Sequence, residues 1–275
     1  MCTSPSHTHS ALFLDTAGGG GDPHFIAFGG IYFTWKGHCD LVMVKSKDYI
    51  NGNSRFEVHI RTTRIRKWSK IDRIAIKVGQ DVGEISSQDG IFILNGHEVN
   101  TVQNQELVVK SVKNMFSKSG KGIYLYDMTF HRDKKLHVEV NTRTCMIYTK
   151  LSGNYPHHTE GIFGSPHQTG LLSRNGDHIP NANVNAFVET WQVSDMDSHL
   201  FNSDRAPQFP SRCLYDMKKT TSSHHNRHLK ELHIVPTIDA VAACAMHHPG
   251  PLQKFCIDDV VMSGDLDSAK DEFYE

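Results

Sequence analysis

Residues 18–39, GGGGDPHFIAFGGIYFTWKGHC, constrain the fold more than any other stretch of the chain. Four consecutive glycines deliver an Asp-Pro-His turn directly into an aromatic run. Pro23 fixes its own φ and keeps Asp22 extended, so the Asp22 carboxylate and the His24 imidazole are held at the head of a strand. Phe25, Phe28, Tyr32, Phe33 and Trp35 follow at close to alternate spacing, broken by Gly29-Gly30, which reads as a tight turn or bulge. The stretch is a hairpin that opens a β-sheet, and everything before it reads as dispensable.

Beyond it the pattern keeps a period of two. Leu41, Met43 and Lys45 alternate with Val42, Val44 and Ser46, and Phe56, Val58 and Ile60 with Glu57, His59 and Arg61, the signature of half-buried antiparallel strands. Ile74, Ile76 and Val78 predict another strand. Residues 91–94 run into Asn95-Gly96, where both positions tolerate positive φ, and residues 106–112 are expected to answer as the second arm. Residues 122–130 and 136–140 flank a second hairpin at 131–134, and 145–151 continue the sheet. Roughly ten to twelve short strands predict a mainly β protein, an antiparallel β-sandwich or flattened barrel.

The composition divides the chain. Residues 1–20 mix Ser, Thr, His and Gly without a period and read as a disordered leader, or as the start of a piece cut from a longer protein. Residues 21–195 form the β domain, in which 152–183 wrap the sheet as a long ordered loop and Trp191 returns to the core. Residues 196–236 are polar and read as a linker. Residues 237–275 form a small helical module: Thr237 or Asp239 caps a helix through Met246, with Ile238, Val241, Ala242 and Ala245 on one face. Pro249 and Pro251 end that helix, and a second covers about 253–262. Two short helices bury little by themselves, so a Cys244–Cys256 bridge is a useful staple.

The totals exclude several classes of function. A chain of 275 residues, 38% hydrophobic and 21% charged, buries one substantial core and a small accessory one. Its 29 basic and 30 acidic side chains leave a net charge of −1, which argues against nucleic acid as a partner. No apolar run approaches the roughly 20 residues that span a bilayer, and residues 11–14 are too short for a signal-peptide core. None of the six cysteines forms a CxxC pair, so disulfides are favoured over metal thiolates. No Asn lies in a glycosylation sequon.

The opening stretch resembles that of a von Willebrand factor type D domain: GDPHF, a turn, an aromatic strand and Gly-x-Cys ending at Cys39. Gly161-Ile162-Phe163-Gly164 stands where that family has its GLCG or GLLG turn, and residues 185–193, NAFVETWQV, where it closes with a Phe and Trp strand. Residues 244–267 look like the short cysteine-bearing helical module that often follows such a domain. The resemblance implies a β-sandwich with a bond from Cys39 to a cysteine beyond the closing Trp strand, for which Cys213 is the match. Cys244 and Cys256 are then local to the module. Phe163 stands in place of the GLCG cysteine, so the inner disulfide of animal relatives cannot form. Cys145 is left unassigned as a buried thiol, and Cys2 is free or pairs outside the chain.

Calcium is the cofactor that the resemblance implies, held between Asp22 and a loop after the Gly-x-x-Gly turn. The loop reads SPHQTGLLSRNGD, which puts Ser165, His167 and Thr169 near the ligand positions and Asp177 far downstream. Calcium prefers six to eight oxygens, several of them charged, so the reading set against it is structural: Asp22, Pro23 and His24, with Gly161 and Gly164, shape the turns that close the sheet. Among 19 histidines, the pairs His157-His158, His224-His225 and His247-His248 give poor metal geometry, since neighbours diverge on strand and helix alike. His224, His225 and His228 gathering on zinc or copper is weighed against solvated filler in a linker. No GxSxG, HExxH or phosphate loop is present. The resemblance, with no catalytic motif beside it, implies a non-catalytic extracellular or cell-surface module meeting a protein or matrix partner, with a metal-dependent binding domain as the alternative and a hydrolase behind both.

Overall fold

The computed structural model describes residues 16–201, 213, 235–264, 266 and 269, apart from 48, 51–52, 66–67, 116–121, 132, 154, 156–157, 167 and 248. The chain opens with β1 (Ala17–Gly20), β2 (His24–Ala27) and β3 (Ile31–Thr34), then β4 (Cys39–Ser46) and two short strands, β5 (Tyr49–Ile50) and β6 (Asn53–Ser54). Two long strands follow, β7 (Phe56–Ile65) and β8 (Trp68–Val78), then β9 (Asp81–Ser86), β10 (Phe92–Leu94), β11 (His97–Glu98) and β12 (Val102–Gln103). Next come β13 (Leu107–Met115), β14 (Gly122–Phe130), β15 (Lys134–Asn141) and β16 (Met146–Ser152), and the short β17 (Thr159–Glu160), β18 (Leu171–Leu172) and β19 (His178–Ile179).

Two antiparallel sheets form the sandwich: β12-β13-β14-β15-β16-β1-β2-β3 and β11-β10-β9-β8-β7-β4-β17. Aromatic side chains bridge them, with Phe56 of β7 5.3 Å from Phe130 of β14 and Phe92 of β10 5.8 Å from Tyr126 of β14. Phe25 and Trp191 belong to this same core.

Several sequence expectations change. First, residues 17–20 are no part of a leader: β1 lies between β16 and β2 inside the eight-stranded sheet. A run of glycine offers no side-chain period to read, yet it is required, because a Cβ at Gly20 would strike the Tyr148 ring. Second, residues 185–193 do not form a closing strand. They form the helix α1 (Val184–Thr190), capped by Trp191, and only Gln192 makes a strand-like bridge, to Leu41. Third, the Asn95-Gly96 turn forms with φ of 50° and 84°, but β11 answers β10, while residues 107–115 cross to the other sheet. Fourth, β4 is not half-buried. The 161–164 turn and residues 191–193 bond along its second edge, with Ile162 N–H to Val42 O at 3.1 Å and Val42 N–H to Trp191 O at 2.9 Å, and Leu41, Val42, Met43 and Val44, from both of its faces, all lie in the core.

The C-terminal module consists of α2 (Thr237–Ala243), a 3-10 turn at Cys244–Met246 and α3 (Pro251–Ser263). Pro236 occupies the α2 cap position with no side-chain cap bond, so neither Thr237 nor Asp239 caps it, and Pro251 begins α3 instead of ending its predecessor. The buried face of α2 is Ala240 with Cys244, whereas Ile238 and Val241 face solvent. Cys244 is bonded to Cys256. Once that bridge faces inward, the bulkier stripe must turn out. Ala240, Cys244, Phe255, Cys256 and Val260 pack against Ile26, Met146 and Tyr148 of the eight-stranded sheet, forming a second, smaller core.

Candidate functional site

The Asp-Pro-His turn is a socket for α3. Gly21 has φ of 61°, and a Cβ there would collide with the Asp259 carboxylate. Asp259 Oδ1 accepts the Asp22 N–H at 2.7 Å and lies 3.7 Å from His24 Nε2. The Asp22 carboxylate accepts the Ser69 N–H at 2.9 Å and pairs with the Lys36 ammonium. His24 Nδ1 meets Thr34 Oγ1 at 2.8 Å, and its ring stacks on Phe255 with centroids 4.1 Å apart. Asp22 and His24 are both fully buried. Burial raises the Asp22 carboxyl despite Lys36 and Ser69, and burial, reinforced by Lys36 and Lys254, pushes His24 down to about 3. His24 is thus a neutral stacking ring at any physiological pH. Hydrogen bonds to carboxylates are worth about 1.5–3 kcal/mol each, which makes the Asp259 contact a substantial part of module docking.

A second buried carboxylate organises the opposite region. Asp197 accepts Lys45 Nζ at 2.7 Å, Arg174 Nη1 at 2.9 Å and the Ser194 N–H at 3.0 Å. Burial would raise its pKa, but the bonds from Arg174, Lys45 and Ser194 outweigh it and hold the carboxyl far below the ordinary aspartate range. The neighbouring Ser198 donates to Glu57 at 2.8 Å, and Arg61, in a two-bond pair with Asp40, lies 4.5 Å over the Phe201 ring. Residues 196–201, assigned to the linker from composition, are therefore a strap packed on β4 and β7. The disulfide between Cys39, which opens β4, and Cys213 ties the chain beyond the strap to the same strand.

Between the 161–164 turn, the β18–β19 hairpin and Trp191 lies a cavity of about 450 Å³. Its walls include Lys47, Glu160, Ser165, Thr169, Arg174 and Trp191. Arg174 is pinned as part of the wall, donating to Thr190 O at 2.8 Å and Gln192 O at 2.9 Å and lying 5.1 Å over the Trp191 ring. Trp191 Nε1–H donates to Leu172 O at 3.0 Å.

Ser165 and Thr169 line this cavity and Asp22 does not. His167 lies outside the described residues, and Asp177 is an exposed residue of the hairpin between β18 and β19, where its main-chain N–H bonds Ser173 Oγ, and it does not line the cavity. A calcium ion at Asp22 would have to displace the Lys36 ammonium from a fully buried carboxylate, so the donors present there do not fit it. Among the described residues no group of three His, Cys, Asp or Glu is placed to hold a metal. Gly161, with φ of 126°, and Gly164, with φ of 66°, shape the turn against β4, and Phe163 packs 6.1 Å from Phe25 where the family pattern has a cysteine. Cys145 is a half-buried thiol at a turn, with φ of 55°. His247 bonds Ala269 O at 2.8 Å; its neighbour His248, with Cys2, His157, His224, His225 and His228, lies outside the described residues.

Sequence reasoning missed Asp259, Asp197 and Arg174. Asp259 carried a readable signal: with Phe255, Cys256 and Val260 at helical spacing, it falls on the apolar face of α3, where a carboxylate requires a specific partner. Asp197 and Arg174 sit in no periodic stretch, and apart from the local Ser194 bonds to Asp197 the partners Lys45 and Arg174 meet that carboxylate only in the folded chain.

No curated protein matches this chain. A profile of the von Willebrand factor type D domain does match, over residues 18–166, which run from the glycine strand past the socket to the Gly161–Gly164 turn. The chain belongs to the von Willebrand factor type D domain family.

Proposed function

We propose that this chain is a non-catalytic extracellular module that works by contact, as a spacer, adhesive or assembly unit of a larger surface or matrix protein. Members of the family are generally adhesion and assembly modules and typically extracellular. The two disulfides fit an oxidising compartment. No helix among the described residues is long and apolar enough to cross a membrane.

The observation that carries the reading is the use made of Asp22 and His24. A carboxylate and an imidazole beside each other are the material of acid–base chemistry, which needs them within reach of a substrate. Here both are sealed beneath α3 and committed to Asp259, Ser69, Thr34 and Phe255. One surface open to a partner is the 159–178 segment with its cavity, carried on the two-sheet frame, the usual place for recognition on a scaffold.

An antibody against the native chain tests this on the producing cells, combined with a non-reducing peptide map. Labelling of intact cells, with Cys39–Cys213 and Cys244–Cys256 peptides recovered, is expected. Labelling only after permeabilisation, with all cysteines free, would overturn the reading.

A further inference from the structure

We propose that the cavity beside Trp191 binds a polyhydroxylated anion, an acidic sugar of the uronate class, and is the contact point of the module proposed above, on which reading this rests. Its far wall, from Gln168 to Trp191, lies beyond residues 18–166, which match the family profile.

Size, lining and charge point the same way. At about 450 Å³ the cavity falls in the range of small-ligand sites. Its lining is rich in hydroxyl and amide groups, with Ser165, Thr169 and Gln168 on one side, while Leu172 and Trp191 add a limited apolar area. That mixture suits a sugar ring, which presents hydroxyls at its edge and C–H groups on its face.

The local charge favours an anion. Of the charged groups on its lining, Lys47 and Arg174 are cations and Glu160 is an anion, while Lys45 and Asp197 pair with each other behind the wall. Asp197 is fully buried behind the wall between Lys45 and Arg174, and Glu160 lies 3.4 Å from Lys45. Lys47 is the adjustable member: its side chain is 54% exposed and only 3.6 Å from Glu160, an exposed pair of little strength that can turn to a ligand carboxylate at small cost. The walls need no rearrangement, since Arg174, Trp191 and Gln168 are already fixed by bonds to main-chain carbonyls.

Titration of the full isotope-labelled chain with galacturonate, with a short oligogalacturonate and with a neutral malto-oligosaccharide tests the site by amide shifts. Shifts confined to residues 159–178 with the acidic probes are expected, and none with the neutral one. Response to the monomer identifies a free acidic sugar as sufficient, whereas response to the oligomer alone identifies the end of an acidic polysaccharide. Lys47→Ala should weaken binding about tenfold, the loss of one charge-assisted contact, and Thr169→Trp, at an exposed position, should block it by filling the mouth. Silence towards both acidic probes, equal response to the neutral one, or unchanged affinity in both variants would overturn the proposal. Cell-surface labelling and the disulfide map do not depend on this result, so the module reading can stand when the sugar site fails.

Discussion

The strap over β4 and the helical module on β2 and β16 are both fastened by a buried carboxylate and a nearby disulfide, yet they hold by opposite physics. Asp197 of the strap receives two cations and a main-chain N–H and stays ionised far below its ordinary range. At the module, Asp22 is raised by burial and His24 is held neutral, and the contact rests on aromatic stacking, apolar packing and the Asp259 bond. The first fastening is ionic and long in loop length; the second is desolvated and short. Acid, mutation and reduction should therefore separate them.

Reduction gives the largest difference. The Cys39–Cys213 bridge closes a separation of 174 residues and Cys244–Cys256 one of 12. In the loop-entropy account these are worth about 5 and about 3 kcal/mol respectively. Cys39→Ser should lower the denaturant midpoint more than Cys244→Ser, and equal midpoints would break the comparison. Next comes Asp197→Asn, which keeps the shape but removes the anion that Lys45 and Arg174 share, leaving Lys45 only Glu160 at 3.4 Å. A loss of about 3 kcal/mol is expected by chemical denaturation, the usual effect of breaking a buried pair from one side.

The same two regions show how far the sequence could be read. Period-two patterning located the strands because each side chain reports its own face. It failed at residues 17–20, where glycine has no face to report. At 185–193 two periods compete: Val184, Phe187, Val188 and Trp191 fall at helical spacing, and burial of the last three confirms that the helical period was the true one. In α2 the visible stripe of Ile238 and Val241 lost to Cys244, since the bridge sets which face turns inward. Fastenings such as Arg174 to Asp197 join residues whose pairing only the folded topology creates. Asp22 and His24 were legible as turn formers, but their partner on α3 was not.

Acid sharpens the contrast at the third level of effect. A histidine held at about 3 against an ordinary 6.5 contributes stability that is complete above pH 6.5 and is lost as pH falls towards 3, by about 1.4 kcal/mol per unit. The raised Asp22 works the other way, gaining stability as pH falls through its own value towards 3.8, and offsets part of that loss at the lower end. Asp197, being depressed, keeps its full contribution above 3.8 and loses it only below. Between pH 6 and pH 4.5, values chosen roughly to lie inside the His24 window, hydrogen exchange should accelerate in α3 while the amides of residues 194–201 stay protected. His24→Phe, which keeps the stack on Phe255, should flatten that dependence. Simultaneous loosening of both regions would mean that His24 does not set the acid response of the module.

The smallest expected effect is that of calcium, and it examines the socket most directly. A site filled at 100 times its dissociation constant would add about 2.7 kcal/mol to stability and raise the melting temperature by several degrees. With the Asp22 carboxylate held by Lys36 and the Ser69 N–H, neither chelator nor millimolar calcium should move the melting temperature. Lys36→Ala turns this into a two-sided measurement. Removing the ammonium leaves a buried carboxylate short of a counter-charge, so the variant should be less stable in chelator, and any recovery on adding calcium would show that the ion can take the place of Lys36. A rise in the unsubstituted chain would instead show that Lys36 yields to the ion, and the division between an ionic strap and a desolvated module would have to be redrawn at Asp22.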